Sequence, residues 1–557
     1  MKVLAGGVVR TMATTGAPCD AVAFDQGRIV AVGSRAEVLA RAGAADVVEL
    51  AGRAVVPGFI DAHHHMSMVV LFAHAVQCSH EVAPTHEAIV ARLTAAAGAI
   101  PEAEWLVGYG YDARRLPAGR NPTREHLDAA CPDRPALLMH YSHHEGIVNT
   151  RALRIAGIGR TTPDPPGGVI ERDRRGEPTG RLVEAAVGRC ERLARESLAA
   201  RHADDWIHDV VAHEALLFAS GITRVHDPIV APQMEALYRR ARREAGLRIP
   251  VVLSPLAPGG FLEADAERLR GAPTGEGDDA LRVGPVKMVL DGGERCAMCL
   301  TLGELARSAL ATAGRAISTL SLGPIRAGLV APFHRGAGRM HRGLLFYARD
   351  AARRCASDAA EHGFDPMIHA IGNEAVDVAL DAIEAARRRP GRFPARIEHA
   401  TFTEPAQLAR AASLGIAVST QASFLALPDL AAAPPVAGPK MVALRSMLDA
   451  GLTVALSSDH PVTPFEPLHG MRCAVSRRLF DGRVHAPDER LAPADALAGY
   501  TRSAAAATGS LDVCGTIEAG KRADLVVLSE DPCVPGALER VNVLETLLAG
   551  ESVYRAG

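Results

Sequence analysis

Between residues 55 and 459, short apolar runs that end in polar or charged residues alternate with Ala-rich stretches of helical pattern. That alternation predicts a parallel sheet with crossover helices, because a helix must cover the buried face between successive parallel strands. The runs are Val55–His65, Ile222–Asp227, Ile249–Leu256, Val283–Asp291, Pro366–Ile371, Arg396–His399, Ile416–Gln421 and Thr453–Asp459. Eight such strands suffice to close a (β/α)8 TIM barrel, the predicted α/β fold.

Two interruptions shape the domain plan. Roughly 155 residues separate the first two runs, far beyond an ordinary crossover. We therefore expect an insert subdomain over 75–200, with strands at Trp105–Asp112 and Ala136–His144 and a short helix at Asn149–Gly157. The two ends read differently. Gln26-Gly27 separates two apolar segments as a hairpin turn does, and Gly515 to Leu528 combines turn glycines with a buried-type strand. Both termini are predicted to build one small β-sandwich domain, 1–56 plus 508–557, around a barrel over 57–507.

Composition removes several classes of function. Hydrophobic residues make up 48% and charged residues 22%, as in an ordinary soluble globular protein. A formal charge of −3 gives no electrostatic reason to expect nucleic acid or an anionic membrane as partner. The clusters Arg239–Arg243 and Arg387–Arg389 each close a helix-like segment, where cations complement the negative end of the helix dipole. Ten scattered cysteines suit a reducing compartment, and Cys296-Ala297-Met298-Cys299 has no second pair at zinc-finger spacing. Neither a signal-peptide core nor a run of ~18 apolar residues is found, so a cytoplasmic location is expected.

The polar residues at the strand ends carry the chemistry. In an extended backbone alternate side chains share a face, so His63 and His65 can point together while His64 points away. Two imidazoles so placed can bind one divalent ion. Lys287, one of only four lysines, stands inside the apolar run Val286-Lys287-Met288-Val289-Leu290. A buried ammonium is costly. Such a lysine either pairs with an acid such as Asp291 or becomes a carbamate, whose two oxygens can bridge metal ions. His369, His399 and Asp459 end further runs, and side chains at strand C-termini line the catalytic face of a barrel. A site for one or two divalent ions follows, with zinc the expected metal.

Taken together, Pro57-Gly58-Phe59-Ile60-Asp61-Ala62-His63-His64-His65, Lys287-Met288-Val289-Leu290-Asp291-Gly292, His369-Ala370-Ile371-Gly372-Asn373, Arg396-Ile397-Glu398-His399-Ala400 and Gly520-Lys521-Arg522-Ala523-Asp524 resemble the amidohydrolase superfamily. More narrowly the chain resembles the YtcJ-like branch, amidohydrolase family 3, which includes N-substituted formamide deformylases. The likeness implies that His63 and His65 hold one metal, His369 and His399 a second, carboxylated Lys287 bridges them and Asp459 contacts the first. It also places His144 of the insert toward the site and makes Glu184 an insert-to-barrel contact. Tyr111 and Asp291 are further candidates for substrate binding. Asn373 departs from the family, which has Asp there, and so does the segment Gly293-Glu294-Arg295-Cys296. A homodimer is common in the family.

The expected activity is hydrolysis of a C–N bond other than a peptide bond, in a small amide or an N-acyl or N-formyl amine. A metal-activated hydroxide would attack the carbonyl, and Asp459 would shuttle the proton to the leaving nitrogen. Deamination or ring opening of a cyclic substrate on the same site is an alternative. A ligand-binding regulatory descendant is another, which the intact set of four histidines, Lys287 and Asp459 argues against.

Overall fold

The structure, a computed structural model, describes all residues except 15–17, 263–265, 294, 319–332, 337, 387–392 and 429–435. Its centre is a ring of parallel strands met in chain order. One arc hydrogen-bonds Phe59–Asp61, Ile222–Pro228, Val251–Ser254 and Leu281–Val283 side by side. The other joins Val286–Val289, Pro366–Ala370, Arg396–His399, Ala417–Thr420 and Thr453–Leu456. Isolated parallel bridges, Leu256 with Lys287 and His64 with His460, link the arcs at their two seams. The strands are almost wholly buried, which is why they read as continuous apolar runs rather than as alternating ones.

Two expected strands are divided. The run Val55–His65 forms Ala54–Pro57, which belongs to another sheet, and Phe59–Asp61, which belongs to the ring. Gly58 stands between them, pressed so close to Thr223 that a Cβ would overlap its side chain. Its amide donates to the carbonyl of Asp524, so the sheet change happens at this one residue. The run Val283–Asp291 likewise divides into Leu281–Val283 and Val286–Val289. Pro285 lacks an N–H for the ladder, and a Cβ at Gly284 would collide with Ser254. Counted as one divided strand, these pieces keep the ring at eight positions.

Both termini enter one eight-stranded sheet. Lys2–Val9, Cys19–Asp25, Arg28–Gly33, Asp46–Glu49 and Ala54–Pro57 come from the front, and Leu525–Leu528, Val543–Leu548 and Glu551–Arg555 from the back. Gln26 (φ 46°) and Gly27 (φ 77°) make the hairpin turn in the left-handed region. Val3, Ala5, Ala21 and Ala23 pack with Val38 and Ala42 of the helix Arg35–Ala42, while Leu4, Val22 and Phe24 join Leu525 and Val527 in a separate apolar cluster. The period-two pattern thus serves both faces.

A six-stranded sheet fills the interval after the first ring strand: Val76–Gln77, Leu106–Tyr111, Ala136–His140, Glu145–Val148, Gly168–Arg172 and Pro178–Glu184. The expected strand Ala136–His144 stops at His140, because residues 141–144 turn back toward the antiparallel partner Glu145–Val148. The helix Thr150–Ala156 is capped by Asn149, whose side chain accepts from the Ala152 amide, and ends at Gly157 with φ 70°. The helices Gly188–Arg201 and Ala203–Ala219 lead the chain back, and their Leu198, Trp206 and Leu217 join Met66, Trp105 and Ile222 in a core shared with the ring.

Arg242, just past the helix Pro232–Arg240, donates to the carbonyls of Leu247, Ile249 and Ala280. Arg387–Arg389 lie outside the described residues. All ten cysteines are free thiols. Among the described residues no helix is long and apolar enough to cross a membrane.

Candidate active site

At the C-terminal ends of the ring strands, side chains from separate strands converge on one cavity. His63 and His65 follow the first strand rather than extending it, yet both imidazoles turn to Asp459: the Nε2 atoms lie 3.3 and 3.2 Å from its Oδ1. The donor atoms of His63, His65 and Asp459 all lie within 4.8 Å of one another. His64 turns away as the alternation predicts, toward Asp61 at 3.2 Å and His213 at 3.0 Å. Asp61 also accepts from the amide and hydroxyl of Ser458, so the first and eighth strands are clamped directly beneath the cluster.

Lys287, fully buried, puts its Nζ 3.4 Å from His63 Nε2. The rings of His63 and His399 are 5.0 Å apart, and those of His399 and His369 4.4 Å. Four imidazoles, one amine and one carboxylate therefore share a single mouth. His399 (φ 70°) and Asp459 (φ 54°) both occupy the left-handed region, an arrangement that strands end on only when surrounding contacts hold it.

The environment sets the charge states. Burial pushes the imidazoles of His63, His369 and His399 below their ordinary value and so favours the neutral, metal-binding form. Burial also lowers Lys287 to about 8, with Glu398 and Asp459 opposing it. Burial works against the Asp459 carboxylate, but His63, His65 and His399 outweigh it and hold the group below the usual carboxylate range.

The donors fit a divalent cation. His63 Nδ1 hydrogen-bonds the Glu398 carboxylate, itself held by Arg396, and His399 Nδ1 faces Gln421 Oε1 at 2.8 Å. Both bonds fix the ring and leave Nε2 for another partner, the arrangement metal-bound histidines use. His369 Nε2 and His65 Nδ1 are buried with no hydrogen-bond partner. A buried ring nitrogen without a partner is costly unless a ligand satisfies it. A second His/Asp group among the described residues, His74 with His202 and Asp205, is partly exposed and does not line this cavity.

Other expected residues sort themselves by geometry. His144 lines the cavity, with Nδ1 2.8 Å from Glu184 Oε2, and Glu184 in turn touches Gly292, where a Cβ would overlap its carboxylate. Tyr111 is not brought there. Its ring lies in the apolar core of the insert with Leu106, Leu116 and Leu138, because its strand turns that face inward. Asp291 does not line the cavity either. Its oxygens accept the amides of Ala297, Ile371 and Gly372, each at 2.9 Å, which makes it a backbone anchor 3.5 Å from His369 Nε2. Asn373 accepts from the Cys299 amide and donates to the Cys299 carbonyl and to Glu404, a pairing that Asp could not make.

Sequence reasoning missed Glu398, Gln421, His143 and Glu191. The first had a signal, since Arg396 and Glu398 alternate within a buried strand. His143 is half-buried, with φ 61° and its ring stacked on Tyr109 at 4.9 Å, and it lines the cavity with Glu191, neither of whose oxygens has a hydrogen-bond partner. Cys296 and Cys299 sit beside the site as free thiols, and burial pushes Cys296 up to about 12.

A parallel α/β barrel with histidines and an aspartate gathered at its strand ends belongs to the class of barrel hydrolases. The chain itself belongs to the amidohydrolase family, whose profile matches residues 46–554. It is 34% identical over 570 residues to an N-substituted formamide deformylase of Arthrobacter pascens, covering 98% of this chain and 97% of the relative. To the putative amidohydrolase YtcJ of Bacillus subtilis (strain 168) it is 27% identical over 573 residues, covering 99% and 98%. Among solved structures, an uncharacterized metal-dependent hydrolase from Pyrococcus horikoshii OT3 superposes with a TM-score of 0.68 at 23% identity, covering 99% of each chain, a likeness of fold.

Proposed function

We propose that the protein hydrolyses a C–N bond other than a peptide bond in a small amide or an N-acyl or N-formyl amine, with a divalent metal as cofactor. The observation that carries this reading is the triad His63, His65 and Asp459 with all donor atoms within 4.8 Å. The 34% identity to a formamide deformylase over nearly the full chain supports the C–N bond as target.

In this reading His63, His65 and Asp459 would hold one ion, and His369 and His399 could hold a second. Lys287, beside His63, would as a carbamate supply two further oxygen donors to such ions. Its buried amine, lowered to about 8, keeps a neutral fraction that adds to carbon dioxide with loss of one proton. Two imidazoles and a carboxylate favour zinc. When bound, the metal lowers the pKa of water from about 15.7 toward 7 and polarises the substrate carbonyl.

The remaining work belongs to side chains. Asp459 accepts the proton of the attacking water and delivers it to the nitrogen, which leaves as a neutral amine while the acyl carbon keeps the hydroxyl oxygen. His144, braced by Glu184, and His143, stacked on Tyr109, line the cavity where the substrate carbonyl is oriented. Glu398 and Gln421 hold His63 and His399 in the ligating orientation. The proposed domains are 1–56 with 508–557, a terminal sheet folded into a two-layer sandwich, the barrel over 57–507 and the insert over 75–200.

A screen of N-formyl and N-acyl amines with added zinc tests the proposal. Amine release is expected from at least one class, and none from zinc-loaded protein across the series would refute it.

A further inference from the structure

The cavity at His63 and Asp459 is narrow, about 80 Å3. Chambers that hold a whole small molecule run to roughly 300–1,000 Å3, so this one fits little beyond the reacting group. A larger cavity, about 510 Å3, adjoins it between the insert helix Gly188–Arg201 and the segments that follow the second and third ring strands. Ile229 lines both. So does one turn of helix: Glu191 faces the reaction cavity and Arg195, four residues on, faces the larger one.

The walls of the larger cavity are apolar along Ile229, Val230, Pro232 and Leu256, but three arginines interrupt them, Arg192, Arg195 and Arg268, with Arg192 paired to Glu196 of the same wall at 2.9 Å. Arg195 is 4% exposed, and its Nε and Nη1 are buried without an acceptor. It forms a long ion pair with Glu191, 3.7 Å from Nε to Oε1, too long for a hydrogen bond. Arg268 is held by Glu235 at 2.6 Å and by the Ala272 carbonyl at 3.1 Å, yet its Nη2 also lacks an acceptor. Buried N–H donors left unmatched are costly, and a ligand bearing acceptor oxygens would satisfy them. Arginine presents the planar fork that suits a carboxylate.

We propose that the larger cavity receives the amine half of the substrate and that this half ends in a carboxylate bound by Arg195 and Arg268. The proposal rests on the hydrolase reading and names its substrate class: N-acyl derivatives of amino acids whose carboxylate stands some atoms away from the nitrogen. Glu191 and Arg195 stand one helical turn apart on the same helix face, the first lining the reaction cavity and the second the larger one. After cleavage the liberated ammonium would lie beside Glu191, whose oxygens accept no hydrogen bond, and the carboxylate beside Arg195.

The test compares N-formyl derivatives of 4-aminobutyrate and 6-aminohexanoate with their methyl esters, and measures by calorimetry the binding of the free amino acids against the matching alkylamines. A charge-assisted bond contributes about 1.5–3 kcal/mol, so wild-type kcat/KM should favour acid over ester by roughly ten- to a hundredfold. In Arg195→Gln that ratio should fall toward one, and Arg195→Lys should restore part of it. Binding of an amino acid to wild-type protein, with no binding of the alkylamine, supports the cavity even if nothing is hydrolysed, in which case only the hydrolase reading fails. Equal kcat/KM for acid and ester, together with no amino-acid binding to the wild type, would overturn the carboxylate assignment while leaving the hydrolase reading intact. The wild-type comparisons decide the matter should the variants not fold.

Discussion

Asp459 stands where three roles meet: it touches His63 and His65, it is kept ionised by them, and it ends the strand nearest the first. Asp459→Asn preserves its shape and one oxygen but cannot take a proton. It should retain bound metal while kcat falls about 10²–10⁴-fold, the usual worth of a positioned acid–base. Metal analysis beside an amine-release assay checks this, and an undiminished rate would remove the shuttle role. The histidines supply a pH prediction. Their folded values lie below 6.5, so the neutral rings contribute stability and metal affinity that are present above pH 6.5 and are lost as pH falls through the folded values. Dialysis at pH 6.5 should leave the metal in place, with release only at lower pH. Release already near neutrality would contradict the assigned burial. At this scale strand-end position marks His63, His65, His369, His399 and Asp459, a charged residue inside an apolar run marks Lys287, and the fold gathers all six. Tyr111 was misjudged because neighbouring sequence does not reveal which face of an insert strand looks inward. Glu191 and His143 needed the tertiary fold, since nothing near them in sequence marks their partners.

At the scale of elements, the ring was legible because buried parallel strands write themselves as apolar runs. Their ends were less so. Gly58 and Gly284-Pro285 each break a run that hydropathy reads as continuous, and in both places the cause is a steric or hydrogen-bonding restriction rather than a change in polarity. Gly58→Ala should therefore destabilise the protein by about 1–3 kcal/mol, the cost of overpacking a filled site, because the new Cβ would overlap the Thr223 side chain while the Gly58 amide is tied to the Asp524 carbonyl. Thermal or denaturant unfolding reads the change. A neutral result would mean that the junction between the two sheets is looser than its contacts indicate.

Across the whole molecule, the insert matters for more than its size. Its helix Gly188–Arg201 walls both cavities, and its turn at 141–144 sends His143 and His144 into the reaction cavity. Length revealed that an insert exists, but not that it completes the site, because that depends on how its sheet packs against the ring. In the proposed function, a metal held by strand-end residues drives C–N hydrolysis. The most direct measurement is to strip the purified protein with chelator, titrate zinc back, and follow bound metal and amine release from an N-formyl amine in the same samples. Release should vanish on stripping and return in proportion to one or two bound equivalents. Amine release that persists in metal-free protein, or zinc that binds without restoring any, would contradict it.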